Sequence, residues 1–331
     1  MSINLSMLLF KTTLILGTII TISTPSWIIM WIGLEMNLMS FIPLMNKSKT
    51  PYESEASMKY FIVQAMASLV LLMAILISDL MECPSNFQYM TMMTALFIKM
   101  GAAPFHLWFP EVMNGLTWIN CFILMTWQKI APMILMSYQV YNNMIFTVVI
   151  ILSVLFGSIG GLNQTSIRKM MAYSSISHLG WLIAAMSMNI NYWVTYFIIY
   201  VWLNIAIIIL LKWGNLFQIS QIFTFKMSTL TKFTLFISFL SLGGLPPLMG
   251  FLPKWIIIQF MISNNNFLTM IIMVMTTLLT LYFYLRMMYS AFTFNNQNNI
   301  WHNESINSMI FITSTVISLI GIPMITIINL Y

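Results

Sequence analysis

Apolar runs of about twenty residues, parted by short polar connections, follow one another along almost the whole chain, and no other feature constrains its fold so tightly. Eleven runs can be marked, at about 3–22, 25–45, 56–79, 88–114, 117–137, 142–162, 166–187, 191–213, 230–262, 267–292 and 305–330. The core of a bilayer offers no water to backbone N–H and C=O groups, so runs of this length read as helices that close their own hydrogen bonds. The expectation is an all-α polytopic membrane protein with about eleven transmembrane helices.

Composition removes the soluble alternative. Only 6% of the residues are charged while 60% are hydrophobic, and the mean hydropathy is +0.90. A water-soluble domain of this size needs far more charge on its surface. One transmembrane unit over 1–331 is therefore expected, with no soluble domain. The net charge of +6 comes from 13 basic residues that are scattered, with no run longer than Arg168-Lys169, which is no footprint for nucleic acid. Cys83 and Cys121 fit neither a disulfide framework nor a metal site. The first run is long, has no small-residue cleavage site and is followed at once by a second, so it is expected as the first span and not a cleaved leader.

Eleven spans put the termini on opposite sides, and the charges then sort. The N-terminal side receives Lys47, Lys49, Lys59, Arg168, Lys169, Lys212, Lys226 and Lys232, offset mainly by Glu53, Glu55 and Glu304. The other side receives Asp79 and Glu82. By the positive-inside rule the N-terminus faces a cytoplasm or a mitochondrial matrix.

An internal repeat is written in the backbone breakers. Gly101, Pro104, Pro110 and Glu111 spell G-x-x-P-x5-P-E, and 143 residues further on Gly244, Pro247, Pro253 and Lys254 spell G-x-x-P-x5-P-K. The same offset carries Glu35, in the middle of the second span, to His178 in the middle of the seventh. It crosses five helices, an odd number, so the two halves are expected to run in opposite directions through the membrane. Inverted repeats with interrupted helices place their sites near the midplane. The expected division is a first pseudo-repeat over about 3–137, a second over about 142–292, and a C-terminal helix over about 305–330.

Five ionisable residues lie too deep to be loop charges: Glu35, Lys99, Lys129, His178 and Lys254. A charged side chain at a helix centre costs roughly 2.5–3.5 kcal/mol even on a lenient insertion scale, so such residues mark polar paths. Each has a plainer reading. Glu35, Lys99 and Lys129 can be structural ion-pair members, Lys254 can snorkel to its end of the span, and His178 can be a core histidine bonded to Ser174, Ser175 or Ser177. Lys11 reads as a snorkelling residue, and Lys59, Arg168, Lys169 and Lys212 as orientation signals at span ends. His106 and Glu111 follow the first break, with Glu111 close to the surface.

Proton transfer is the chemistry these groups suggest. The charge on a lysine in a low-dielectric site depends on its counter-ion, so moving the counter-ion switches its protonation. Sodium fits less well, because a hard cation wants several oxygen ligands and the core offers one carboxylate among lysines. No nucleotide loop, haem ligand pair or iron–sulfur cysteine cluster is present, so the chain is expected to bind no cofactor and electrons to run elsewhere.

The stretches WIGLEMNLMSFIPL (31–44), EASMKYFIVQAMAS (55–68), IKMGAAPFHLWFPEV (98–112), WQKIAP (127–132), IRKMMAYSSISHLGW (167–181) and SLGGLPPLMGFLPKW (241–255) cover nearly the whole chain. Together they resemble the antiporter-like proton-pumping subunits of respiratory complex I, in their animal mitochondrial form. The resemblance implies that Glu35 pairs across helices with Lys99, that Lys129 is the central lysine, that His178 is the relay of the second half and that Lys254 is the lysine of its broken helix. It implies that NADH, FMN, iron–sulfur clusters and ubiquinone are handled by other subunits, and that distant quinone reduction drives proton release on the positive side. Implied neighbours are subunits 4L and 4, and the implied location is the mitochondrial inner membrane, with the N-terminus in the matrix and the C-terminus in the intermembrane space. The chain lacks three N-terminal helices of the bacterial pattern, a loss its animal relatives share. A self-sufficient cation/proton antiporter or solute carrier, and a structural subunit whose buried charges only hold helices together, are the competing expectations.

Overall fold

The computed structural model describes residues 5–47, 50–80, 85–139, 144–224, 229–293, 315, 316 and 318. Among them the secondary structure is helical, apart from one isolated bridge between Ser166 and Gln218. The chain divides into two compact units, Met1–Tyr141 and Asn142–Tyr331. The expected span 305–330, together with Lys49, Glu82, Cys83, Lys226 and Glu304, lies almost wholly outside the described residues.

The first unit contains α1 (Leu5–Ser23), α2 (Trp27–Met45), α3 (Pro51–Leu80), α4 (Ser85–Met100), α5 (Trp108–Gly115), α6 (Trp118–Met125) and α7 (Trp127–Ser137). Helix α3 begins five residues earlier than expected, for a reason written in Thr50-Pro51-Tyr52-Glu53. Proline is pre-organised for the first helical position, the Thr50 hydroxyl accepts from the Glu53 N–H at 3.4 Å, and an acid in the first turn suits the positive end of the helix dipole. Glu53 is thus a buried first-turn residue and not a loop charge. Helices α1 and α2 meet at Gly17 and Gly33, where an added Cβ at Gly17 would stand 3.0 Å from the Gly33 carbonyl oxygen. Small residues permit such close approach where lipid supplies no hydrophobic drive for association.

The second unit contains α8 (Met144–Gly161), α9 (Ile167–Met188), α10 (Ile190–Trp213), α11 (Ile219–Thr224), α12 (Thr229–Gly243), α13 (Phe251–Ser263) and α14 (Phe267–Thr293). The short α11 falls in the connection that reads as polar loop in the sequence. Helix α8 lies against α9 through Gly157, where a Cβ would come within 2.5 Å of the Ser177 backbone nitrogen. That contact seats the residue immediately before His178.

Among the described residues seven segments are long and apolar enough to cross a membrane: those of α1, α2, α3, the joined α6–α7, α8, α10 and α14. The expected spans at 88–114 and 230–262 are each cut in two, giving α4 and α5, and α12 and α13. Helix α9 is less apolar than these, because Arg168, Lys169, His178 and several serines dilute it, yet every residue from Ser174 to Met186 is buried. Its polarity faces protein, not lipid.

The two interruptions are closed in the same way. At the end of α4, Gly101 has φ +71°, its N–H donates to the Ile98 carbonyl and the Ala102 N–H reaches back to Phe97. At the end of α12, Gly244 has φ +84°, with its N–H donating to Ser241 and the Leu245 N–H reaching Leu240. This is the Schellman closure, which needs a left-handed residue best supplied by glycine.

Filling the α8–α9 contact should be costly. Gly157→Leu is expected to destabilise the fold by about 1–3 kcal/mol through overpacking, read as a lower unfolding midpoint in detergent, whereas Ile159→Leu on the exposed side of α8 should leave the midpoint unchanged.

Candidate functional site

In the first unit three of the expected residues come together. Lys99, one residue before the end of α4, is buried, and its Nζ lies 3.9 Å from Oε1 of Glu35 on α2. That distance is an ion pair and too long for a hydrogen bond; Glu35 Oε1 itself is buried without a hydrogen-bond partner. Lys129 on α7 is 1% exposed and stands 5.1 Å from the centre of the Phe109 ring, a cation–π distance. It follows the break at Thr126 between α6 and α7 and precedes Pro132, whose missing N–H leaves the Gln128 carbonyl without its usual helical donor.

Lys99 and Lys129 line one cavity of about 20 Å³, together with Asn37, Tyr60, Gln64 and Gln128. That is room for about one water molecule among several polar groups. The lining is tied across helices. Gln64 Nε2 donates to the Lys99 carbonyl at 3.1 Å, Tyr60 donates to Gln128 Oε1 at 3.3 Å, and Gln128 Nε2 donates to Asn37 Oδ1 at 3.1 Å. The first of these bonds satisfies a carbonyl that the interruption of α4 leaves without an intrahelical donor.

His178 and Lys254 are set on neighbouring helices of the second unit. His178 is buried, and its Nδ1 is 2.8 Å from the Tyr196 hydroxyl of α10. The hydroxyls of Ser174, Ser175 and Ser177 beside it donate to carbonyls of their own helix, at Met171, Ala172 and Ser174. Lys254 does not snorkel. Its side chain turns back to the break, donates to the Gly243 carbonyl at 2.8 Å and stands 5.9 Å from the Trp181 ring. Trp181 lies one helical turn from His178 and links the surroundings of the two. Gly244 also makes room here, because a Cβ on it would stand 3.0 Å from Lys254 Nζ.

The residues given plainer readings behave accordingly. Glu111 is exposed and pairs with Lys59 at 2.9 Å, which also pairs with Glu55 at 2.9 Å. Lys11 is exposed, and His106 is buried in the interruption. The sequence reading passed over Asn37, Tyr60, Gln64, Gln128 and Tyr196. Their signal was present, as amides and hydroxyls inside apolar runs such as LEMNLMS, FIVQAMA and TWQKIAP.

Residues 24–280 match the sequence pattern of the family described as NADH:quinone oxidoreductase/Mrp antiporter, transmembrane. The chain belongs to this family. Relatives in it include the NADH-ubiquinone oxidoreductase chain 2 of Anopheles gambiae, 50% identical over 300 residues and 88% of each chain. That of Locusta migratoria is 44% identical over 323 residues, covering 96% of this chain and 94% of the relative. The fold is similar to a chain of respiratory complex I from Thermus thermophilus with bound aureothin, with a TM-score of 0.85 at 21% identity over 98% of this chain and 78% of the other. It is also similar to a chain of the Mrp complex from Dietzia sp. DQ12-45-1b, with a TM-score of 0.73 at 17% identity over 86% and 59%. The complex I resemblance carried by the six sequence stretches thus holds at the level of family and fold.

For this member of the NADH:quinone oxidoreductase/Mrp antiporter family, the Glu35–Lys99 pair sets a stability test. Lys99→Met leaves the Glu35 carboxylate without its cation and should cost about 3 kcal/mol, the low end for breaking a buried pair, since Glu35 is 23% exposed. Adding Glu35→Gln should give a double variant less destabilised than the two single changes predict, with a coupling of about 1–3 kcal/mol in detergent unfolding. Strictly additive losses would contradict the pairing.

Proposed function

We propose that the chain is the proton-translocating, antiporter-like membrane subunit of a respiratory NADH:ubiquinone oxidoreductase. Proton steps in it are carried by Glu35, Lys99 and Lys129 in the first unit and by His178 and Lys254 in the second. The observation that carries this reading is the small polar cavity lined by both Lys99 and Lys129, with Glu35 against Lys99. A carboxylate that approaches or leaves Lys99 alters the cost of its charge, and a water molecule in the cavity is a route to Lys129. NADH oxidation and quinone reduction are assigned to other subunits, with their FMN and iron–sulfur clusters, so this chain acts in the enzyme without redox chemistry of its own. Neighbouring subunits 4L and 4 are the expected partners, and the mitochondrial inner membrane the expected location, with the N-terminus in the matrix and the C-terminus in the intermembrane space.

The architecture belonging to this reading is eleven spans arranged as an inverted five-helix repeat. Its support is the coincidence of helix ends at one offset: α4 ends at Met100 and α12 at Gly243, α5 begins at Trp108 and α13 at Phe251, each pair 143 residues apart. The Schellman bonds of the two breaks keep the same offset.

Replacing the central lysine tests the function. In assembled enzyme, Lys129→Met should lower the protons pumped per NADH oxidised, and Lys129→Arg, which retains a charge, should retain more of them. Unchanged stoichiometry in Lys129→Met would remove the proton-carrying role.

A further inference from the structure

The second unit holds a buried hydroxyl that the five ionisable residues leave unused. Tyr196 on α10 is 2% exposed, and its hydroxyl is 2.8 Å from Nδ1 of His178. The same buried face of α10 carries Tyr200 and Asn204, exposed by 2% and 1%. Residues four apart lie one above another on a helix. Two hydroxyls and an amide therefore form a polar stripe roughly 12 Å long at the helical rise, running from the neighbourhood of His178 toward the end of α10 that carries Lys212. The Tyr200 ring is centred 5.1 Å from the imidazole. Packing does not explain the stripe, because phenylalanine or leucine would fill the same space without buried polar atoms to satisfy.

We propose that Tyr196 is a proton-relay residue whose hydroxyl exchanges protons with Nδ1 of His178, an inference that rests on the proton-translocating reading above. In the receiving step the phenol O–H donates to a bare Nδ1 on an imidazole that carries its hydrogen on Nε2. A hydronium ion on the polar face delivers a proton to the phenol oxygen as the original O–H proton passes to Nδ1. One hydronium O–H bond and the original phenol O–H bond break while a new phenol O–H and the Nδ1–H form, so a water molecule is left, tyrosine ends neutral and histidine ends as imidazolium. The reverse sequence returns the proton. No phenolate is formed, which matters because an isolated anion in this interior is costly. The Asn204 amide donates to the Tyr200 carbonyl of its own helix at 2.9 Å, and the Tyr200 hydroxyl supplies the polar face along which the proton reaches Tyr196.

Tyr196→Phe keeps the ring and removes the oxygen. In assembled enzyme, proton transfer through this subunit should slow on the order of 10²-fold, the scale of losing one positioned proton-transfer group, and protons pumped per NADH should fall by the share that Lys129→Met removes. Normal stoichiometry in Tyr196→Phe beside a loss in Lys129→Met would overturn the relay and leave the proton-translocating reading standing; normal stoichiometry in both would overturn both. If the phenylalanine variant does not assemble, 3-fluorotyrosine at position 196 keeps size and hydrogen bond while making the phenol more acidic. The pH profile of pumping should then move to the acid side, and an unmoved profile would overturn the relay. The other titratable groups on the helices around this site, His178 on α9, Tyr200 on α10, Lys254 on α13 and Tyr284 on α14, are left as they are in that comparison.

Discussion

Taking an ammonium group out of water is the cost on which the whole arrangement turns. Among the described residues three lysines are buried, and each receives a different substitute for its hydration. Lys99 has a carboxylate at 3.9 Å, Lys129 has the face of Phe109 and a small polar cavity, and Lys254 has the carbonyl of Gly243 and the ring of Trp181. A carboxylate opposes the charge fully, whereas a carbonyl dipole or an aromatic face opposes it in part. The three sites are therefore unequal by construction, and Lys99 is the one whose charge depends on the position of a single partner.

The interrupted helices make these substitutes possible. Ending a helix inside apolar surroundings exposes backbone carbonyls that must find donors. In the first unit a neutral side chain, Gln64, takes the Lys99 carbonyl; in the second the ammonium of Lys254 takes the Gly243 carbonyl. One backbone device thus serves two chemistries. It holds a lysine by its main chain in one unit and by its side chain in the other.

Much of this was legible in the sequence. Glycine and proline at fixed offsets marked both interruptions, because glycine favours the left-handed closure that Gly101 and Gly244 adopt and proline lacks the N–H. Deep charges marked Glu35, Lys99, Lys129, His178 and Lys254, because each is costly enough in an apolar run to stand out. Partner choice was not legible, since it depends on which helices pack together. The offset makes Glu111 and Lys254 equivalent, yet Glu111 is exposed beside Lys59 and Lys254 is buried. Asn37, Gln64, Gln128 and Tyr196 escaped notice because neutral polar groups cost less than charges and hide among apolar neighbours. Helix α9 shows the converse: expected as a span at 166–187 despite its charges and serines, it is among the most buried elements of its unit.

Proton transfer within the first unit depends on water being able to connect Lys99 with Lys129. A high-resolution map of the assembled enzyme, recorded in resting and turning-over states, measures this directly. An ordered water molecule is expected in the cavity bounded by Asn37, Tyr60, Gln64 and Gln128, within hydrogen-bond reach of both lysines in at least one state. A dry gap between Lys99 and Lys129 in every state would contradict it.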